Sequence, residues 1–232
     1  MIFEAATGLA ALAGAAAWSV RGRSAQVWGP VVWRGPAGRR ALALTFDDGP
    51  GESTPEVLDL LERHGARATF FVCGRNVRRL PGVLRAAVEA GHEIGNHTEN
   101  HPRLWLRTPA FIRREIGAAQ LSVVEACGIA PRWFRPSYGV RWPGLQGALQ
   151  QHGLRCVMWT GLGADWRLPG PAVARKLGRA ASPGAILLLH DGRELQTRPG
   201  IASTVEALRL LLPRWRAEGY ELTTLSALLE GE

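Results

Sequence analysis

Short apolar runs and helical patterns that end in glycine alternate about seven times along this chain. The first apolar run, 41–46, stops at the turn-forming segment 47–50, and a helical pattern over 53–64 follows, with Gly65 at its end. Such alternation is typical of parallel strands joined by right-handed helical crossovers. We therefore expect an α/β fold, built either as a barrel or as a doubly wound sheet.

The remaining elements follow from the same patterns. Strands are predicted at 66–72, 93–97, 132–135, 154–160, 185–190 and 220–224, and helices at 76–90, 109–127, 143–152, 171–181, 201–218 and 225–230. No sequence repeat and no internal linker interrupts this series. A single domain over 41–232 is therefore the simplest division.

The first forty residues have a different character, with a hydrophobic segment at 5–20 and a Gly/Pro-rich linker that leads into the domain. The hydrophobic segment is uncharged and half alanine, and it is shorter than the ~20 apolar residues of a membrane helix. No basic residues precede it, as they would in a signal peptide. Residues 5–20 are thus a signal, a membrane anchor or a helix packed on the domain. We expect a cell-envelope protein, membrane-anchored or exported, with the cytoplasm as the alternative.

The net charge of +8 raises the question of a polyanionic partner. Lys176 is the only lysine among the 28 basic residues, and the arginines are spread along the chain without a block of like charges. No nucleic-acid-binding motif accompanies them. We expect no nucleic-acid partner, and we expect the chain to be a monomer. The three cysteines are too few and too scattered for a disulfide framework or a cysteine-based metal site.

The unusual polar residues fall where predicted strands end. They are Asp47, Asp48, His97, His101, Arg135, Asp165, His190 and Asp191. In α/β barrels the loops that follow the strands converge at one end, and active sites form there. Several independent segments are expected to converge on that end. Together they indicate an active site more strongly than any one segment does alone.

His97 and His101 have the spacing of a metal-binding pair. In a helical turn, residues four apart lie on one face, so both imidazoles would reach one cation. The segment 47–48 offers a carboxylate to complete a two-His, one-carboxylate site, while the neighbouring carboxylate stays free as a base. A three-ligand site leaves positions for water and substrate. These ligand types suit zinc, with cobalt, nickel or iron as alternatives.

Five segments, in order, resemble the motifs of the polysaccharide deacetylase (NodB-homology) family of carbohydrate esterases. They are TFDDGP at 45–50, HTENH at 97–101, RPSYG at 135–139, DW at 165–166 and LLH at 188–190. The segment 220–229 is similar to the last strand and helix of that family. The resemblance implies a single-domain distorted (β/α) barrel of about seven strands. It also implies a divalent-metal-dependent hydrolase that removes acyl groups from N-acetylated sugars.

The resemblance assigns a role to each matching residue. The implied metal ligands are Asp48, His97 and His101. The implied catalytic residues are the general base Asp47 with its partner Arg135, and the general acid His190 with its orienting residue Asp165. The implied substrate-binding residues are Tyr138, whose backbone helps hold the oxyanion, Trp166, which lines the acetyl pocket, and Leu188.

Two residues depart from the family pattern: Leu162 stands where an aspartate is common, and Ser137 replaces a usual proline. Since no metal ligand is missing, we expect an active N-deacetylase of N-acetylhexosamine units in a cell-wall or related polysaccharide. One alternative is a deformylase or deacetylase of a lipid-linked sugar or another small amide. The other is a catalytically inactive glycan-binding module, which the missing acidic residue at Leu162 alone supports.

Overall fold

The computed structural model describes residues 2–230. The helices of this part of the chain are α1 (Ile2–Arg21), α2 (Thr54–Arg63), α3 (Gly74–Arg79), α4 (Pro81–Glu89), α5 (Pro109–Cys127), α6 (Leu145–Gln151), α7 (Gly170–Ala180), α8 (Ala202–Ala217) and α9 (Leu225–Glu230). The strands are β1 (Ala41–Asp47), β2 (Thr69–Val72), β3 (Glu93–Asn96), β4 (Trp133–Phe134), β5 (Arg155–Cys156), β6 (Gly161–Leu162), β7 (Ala185–His190) and β8 (Glu221–Thr223).

The strands form one parallel sheet with β1 at its centre. The order is β5-β4-β3-β2-β1-β7-β6, and β8 pairs with the start of β1. Within residues 2–230, β5 and β6 do not pair with each other, so the sheet curls into a half-barrel instead of closing. The expected α/β single-domain distorted barrel is confirmed in this form, with seven strands in the main path and one beside it.

The two faces of β1 have different surroundings. Leu42, Leu44 and Phe46 pack in the core between the sheet and its surrounding helices. Ala41 and Ala43 point the other way and pack inside the half-barrel. Because side chains alternate along a strand, Thr45 and Asp47 share this inner face. The sheet thus carries Asp47 into the interior, at the end of the strand.

The prediction of one helix over 76–90 is wrong in one respect, because the structure divides this segment between two helices. Helix α3 ends at Arg79 and α4 begins at Pro81. Proline lacks an N–H and disfavours helical geometry in the residue before it, and Leu80 accordingly has φ −130° and ψ 54°.

The strand predicted over 154–160 is also wrong in its extent. Only β5 (Arg155–Cys156) forms there, and the sequence did not indicate β6, which follows it. The N–H of Val157 still donates to the carbonyl of Phe134 at 2.9 Å, but the N–H of Met158 donates to the carbonyl of Val32 at 2.7 Å. The chain leaves β4 at this point and crosses toward β7.

The hydrophobic segment 5–20 lies in α1, whose side chains from 11 to 18 are exposed. Within residues 2–230, no helix combines the length and the apolar character needed to cross a bilayer. The end of α1 is attached to the domain through Arg141: its N–H donates to the carbonyl of Val20 at 3.0 Å, and its guanidinium donates to the carbonyls of Gly22 and Ala25. The role of this segment as signal, anchor or packed helix stays a prediction.

Candidate active site

The polar residues expected to converge lie together at the carboxyl end of the sheet. Asp47 ends β1 and is the register partner of His190, which ends β7. His97 directly follows β3, and Arg135 directly follows β4. A cavity of about 530 Å³ opens at this rim, and we call it the rim cavity. Its walls include Asp47, Asp48, His97, His101, His190 and Tyr138.

Asp48, His97 and His101 form a buried cluster beside the rim cavity. One ligand atom from each residue lies within 4.8 Å of the others. The Oδ1 atom of Asp48 is 3.0 Å from Nε2 of His101 and 3.4 Å from Nε2 of His97. This oxygen is buried and accepts no hydrogen bond within the described chain, so its lone pairs are available. Two imidazoles and one carboxylate around such a point fit one divalent metal ion.

The segment that carries the two histidines is a loop, and the helical turn expected from their spacing is wrong. Thr98 and His101 both have positive φ, 71° and 53°, which is incompatible with a right-handed helix. Side-chain bonds hold the loop: the N–H of Thr98 donates to Oδ1 of Asn96 at 2.9 Å, and the N–H of His101 donates to Oγ1 of Thr98 at 3.1 Å. The imidazoles converge because the backbone reverses between them.

Hydrogen bonds outside the cluster orient its members. Nδ1 of His97 donates to the carbonyl of Arg135 at 2.7 Å, so Nε2 is the ring nitrogen that faces Asp48. Oδ2 of Asp48 accepts the N–H of Glu194 at 2.8 Å, so Oδ1 is the oxygen that faces the histidines. Burial opposes ionisation of Asp48, but its contacts with His101 and His97 hold its pKa well below the usual value. The carboxylate is therefore charged at neutral pH.

The fully buried guanidinium of Arg135 binds the carboxylate of Asp47. Nη1 of Arg135 donates to Oδ1 of Asp47 and to Oγ1 of Thr45, each at 2.8 Å. The same guanidinium lies over the ring of Phe71, 4.1 Å from its centroid. Burial lowers the pKa of Arg135, and the charge of Asp47 opposes that effect. Only Oδ1 of Asp47 is engaged by Arg135, while Oδ2 faces the cluster, 3.8 Å from Nε2 of His97.

His190, at the end of the adjacent strand β7, is held by a buried carboxylate. Nδ1 of His190 lies 3.0 Å from Oδ1 of Asp165, and its backbone N–H donates to Oδ2 of Asp165 at 3.0 Å. Thr204 donates its hydroxyl to the same Oδ2 at 2.7 Å. Burial opposes the charge of the imidazole, but Asp165 outweighs it and raises the pKa of His190 to about 9. His190 is therefore protonated at neutral pH, with Nε2 free.

The residues expected to bind substrate also border the rim cavity. Trp166 is 47% exposed and meets the ring of His190 edge-on at 5.0 Å. Leu188 and Leu162 are register partners on β7 and β6, and both line the cavity. Tyr138 has a φ of 57°, and its ring lies 4.6 Å from that of His101. An aromatic and an aliphatic wall thus stand beside the cluster.

Sequence reasoning missed Glu194 and Thr204, which complete this arrangement. Glu194 donates its N–H to Asp48 and accepts the hydroxyl of Tyr138 at 2.7 Å. It lies in the irregular segment after β7, where no periodicity or motif singles it out. Thr204 lies in the first turn of α8, where a polar residue usually indicates a helix start.

Known proteins resemble this chain in both sequence and fold. The sequence profile described as polysaccharide deacetylase matches residues 34–157. A chitooligosaccharide deacetylase of Bradyrhizobium sp. (strain ANU 289) is 38% identical over 201 residues, which are 83% of this chain and 92% of that protein.

Two further relatives are named as deacetylases of another glycan, peptidoglycan. A peptidoglycan-N-acetylglucosamine deacetylase of Listeria monocytogenes is 34% identical, and the match covers 82% of this chain but 39% of that longer protein. The crystal structure of the Bc1960 peptidoglycan N-acetylglucosamine deacetylase superposes with a TM-score of 0.80 at 31% identity, covering 86% of this chain and 92% of the other.

Proposed function

Because this chain belongs to the polysaccharide deacetylase family, we propose that it hydrolyses the acetamide of N-acetylhexosamine units in a cell-wall or related polysaccharide. The chain is a hydrolase of carbon–nitrogen bonds outside peptides, a carbohydrate N-deacetylase. One observation carries the proposal: the buried Asp48, His97 and His101 cluster shares the rim cavity with the carboxylate of Asp47 and the protonated imidazole of His190. Amide hydrolysis needs this combination of an electrophile, a base and an acid.

Asp48, His97 and His101 would hold the metal ion, and zinc is the metal we propose. A divalent cation bound there supplies Lewis-acid polarisation of the amide carbonyl and lowers the pKa of water. The protein contributes a rigid site, since the ring of His97 and the carboxylate of Asp48 are each fixed by a backbone group. Cobalt, nickel and iron share these ligand preferences and remain the alternatives.

Asp47 is the proposed general base. Its Oδ2 atom faces the cluster, where it can accept a proton from the attacking water. The buried guanidinium of Arg135 fixes the orientation of Asp47 through Oδ1. The backbone of Tyr138, at the same edge of the rim cavity, is the proposed donor to the oxyanion.

His190 is the proposed general acid. The leaving amine needs a proton, and the imidazole of His190 holds one at neutral pH because Asp165 lies 3.0 Å from its Nδ1. Since Nδ1 faces Asp165, the proton available to the substrate is on Nε2. Asp165 is a positioning residue that touches His190 and, through Thr204, the start of α8.

The pH dependence of kcat/KM should show the effect of Asp165 on His190. Catalysis needs protonated His190, and its pKa is raised to about 9, so the rate should persist through neutral pH and fall above about pH 9. Asp165→Asn removes the charge that raises this pKa. The fall should then begin at lower pH, toward the ordinary histidine pKa of about 6.5. An alkaline fall at the same pH in both proteins would contradict the assignment of His190 as the acid.

The acetyl group has a proposed pocket between Trp166 and the two leucines, Leu162 and Leu188. Leu188 is 2% exposed and Leu162 is its register partner, so together they present an apolar wall near His190. An acetyl methyl is apolar and gains by burial against such a wall. The leucine at position 162 is therefore compatible with binding of the acetyl group.

A substrate panel tests the proposal. Acetate release should be measured on zinc-reconstituted protein with soluble N-acetylglucosamine oligomers, with peptidoglycan, and with a lipid-linked N-acylated sugar. We expect acetate release from the soluble oligomers and from peptidoglycan. Formate or acetate from the lipid-linked sugar alone would favour the alternative of a lipid-linked or small-amide substrate. Tight glycan binding without turnover under zinc, cobalt, nickel or iron would favour the glycan-binding module.

The cellular setting is proposed from the same substrate class. A peptidoglycan or related glycan lies in the cell envelope, where we propose that this chain acts, either exported or held at the membrane through residues 5–20. Residues 41–232 are the proposed catalytic domain, after an N-terminal hydrophobic segment and linker over 1–40. We propose an N-acetylated glycan as its partner, and a monomeric enzyme.

A further inference from the structure

A second cavity, of about 700 Å³, lies apart from the rim cavity, and every charged residue in its wall is basic. We call it the basic cleft. The segment before β1 contributes Arg23 and Arg34, and helix α7 contributes Arg175, Lys176 and Arg179. The rest of the wall consists of neutral residues, among them Thr160 and Ser182.

The five cations of the basic cleft lack carboxylate partners. Throughout residues 2–230, no acidic group lines the cleft, and none of its five cations forms a salt bridge. The neighbouring helix α8 behaves differently, since Arg209 pairs with Glu56 at 3.1 Å and Arg214 pairs with Glu218 at 2.7 Å. Like charges around one cavity repel and destabilise the fold, and an anion bound there relieves that repulsion.

Two of the guanidinium groups are fixed in place. Nη2 of Arg34 donates to Oγ of Ser182 at 3.0 Å and to the carbonyl of Pro183 at 3.1 Å. Arg23 donates through Nη1 to the carbonyl of Thr160. Each guanidinium has further N–H groups, and its planar fork matches the oxygens of a phosphate group. The cleft thus presents oriented donors on one side.

Helix α7 contributes three exposed cations to the wall of the cleft. Arg175 and Arg179 are four residues apart and therefore lie on one face of the helix, with Lys176 beside them. All three residues are exposed, and their long side chains can carry the charge to a ligand in the cleft.

The basic cleft is distinct from the rim cavity, although one segment borders both. Thr160 lines the cleft, whereas Trp159 and Leu162, on either side of it, line the rim cavity. None of the proposed metal ligands or proton donors lines the cleft. Ligand binding in the basic cleft would therefore be independent of amide hydrolysis in the rim cavity.

We propose that the basic cleft is a binding site for a phosphate group, presented by a soluble phosphate ester or by a phospholipid headgroup. A phosphate monoester carries about −1.5 to −2 charge at pH 7 and three acceptor oxygens, and the phosphodiester of a phospholipid headgroup carries a single negative charge shared by its non-bridging oxygens. Five cations, two of them held by hydrogen bonds, match the charge and the acceptor oxygens of a phosphate better than those of a single carboxylate. The cavity volume of about 700 Å³ also leaves room for the group that bears the phosphate.

The test compares two variants of the full chain that lose the same charge. The cleft variant is Arg175→Gln/Arg179→Gln, and the control variant is Arg113→Gln/Arg114→Gln, whose arginines are exposed on α5. Glycerol 1-phosphate is titrated by phosphorus NMR, and vesicles of phosphatidylglycerol are compared with vesicles of phosphatidylcholine by flotation. Acetate release from soluble N-acetylglucosamine oligomers should stay unchanged in both variants.

We expect the cleft variant to bind glycerol 1-phosphate at least about tenfold more weakly than the control variant, because two charge-assisted contacts are lost. A matching loss of phosphatidylglycerol binding would identify lipid headgroups as a source, and no vesicle binding by either protein would identify soluble phosphate esters. Equal phosphate binding by the cleft and control variants would overturn the proposal. Since acetate release is measured separately, its absence would count against the proposed function alone.

Discussion

Replacing Asp47 with asparagine is expected to lower kcat by about 10² to 10⁴, the usual contribution of a general base. Asparagine keeps the size of the side chain and an oxygen for Nη1 of Arg135, which lies 2.8 Å from Oδ1 in the wild type. It loses the ability to accept a proton from water at the oxygen that faces the metal-binding cluster. The effect should therefore fall on the chemical step, measured as kcat for acetate release at saturating substrate.

Asp59→Asn is the matched control for this variant. Asp59 undergoes the same chemical change but is exposed on α2, away from the rim cavity. It should retain wild-type kcat. Asp47→Asn should still bind one zinc ion, since Asp48, His97 and His101 are intact. Undiminished turnover in Asp47→Asn, with normal folding by circular dichroism, would falsify the role of Asp47 as base.

His101→Ala is expected to abolish tight metal binding and, with it, turnover. Among residues 2–230, the group of three side chains with metal-ligand spacing includes His101, so its removal leaves two of the three proposed ligands. Loss of a group that only orients a ligand typically weakens metal affinity by about 10- to 100-fold, so loss of a ligand itself should exceed about 100-fold. Zinc affinity by competition with a chromophoric chelator, and acetate release at limiting zinc, would measure the two effects.

His152→Ala serves as the control, because this histidine is exposed after α6 and lies outside the cluster. It should bind zinc and release acetate like the wild type. High zinc concentrations should partly restore activity to His101→Ala if Asp48 and His97 still hold the ion weakly. Wild-type zinc affinity in His101→Ala would contradict the assigned ligand set.

The sequence predicts the fold and the place of the site well because both depend on local patterns. Apolar runs that end in polar residues, alternating with helices, require parallel strands, and parallel strands bring their carboxyl ends to one rim. The bounds of α5 (Pro109–Cys127) were predicted to the residue, since Thr108 caps its start and Gly128 ends it with a φ of 73°.

Other features depend on contacts that are remote in sequence. The loop over 97–101 takes its shape from positive φ angles that Thr98 and His101 hold through side-chain bonds, and the spacing of the two histidines suggests a helix instead. The N–H of Met158 bonds to the carbonyl of Val32, and the chain after it pairs with β7 to form strand β6. Glu194 binds Asp48 through its backbone N–H, which any residue but proline could supply, so no sequence pattern indicates this contact.

The most direct test of the account is acetate release from N-acetylglucosamine oligomers, measured as zinc is returned to chelator-treated protein. The account predicts no release without metal, and a rate that rises in proportion to bound zinc and levels off at one ion per chain. Release that survives complete removal of the metal, or that does not follow the filling of the Asp48, His97 and His101 site, would contradict it.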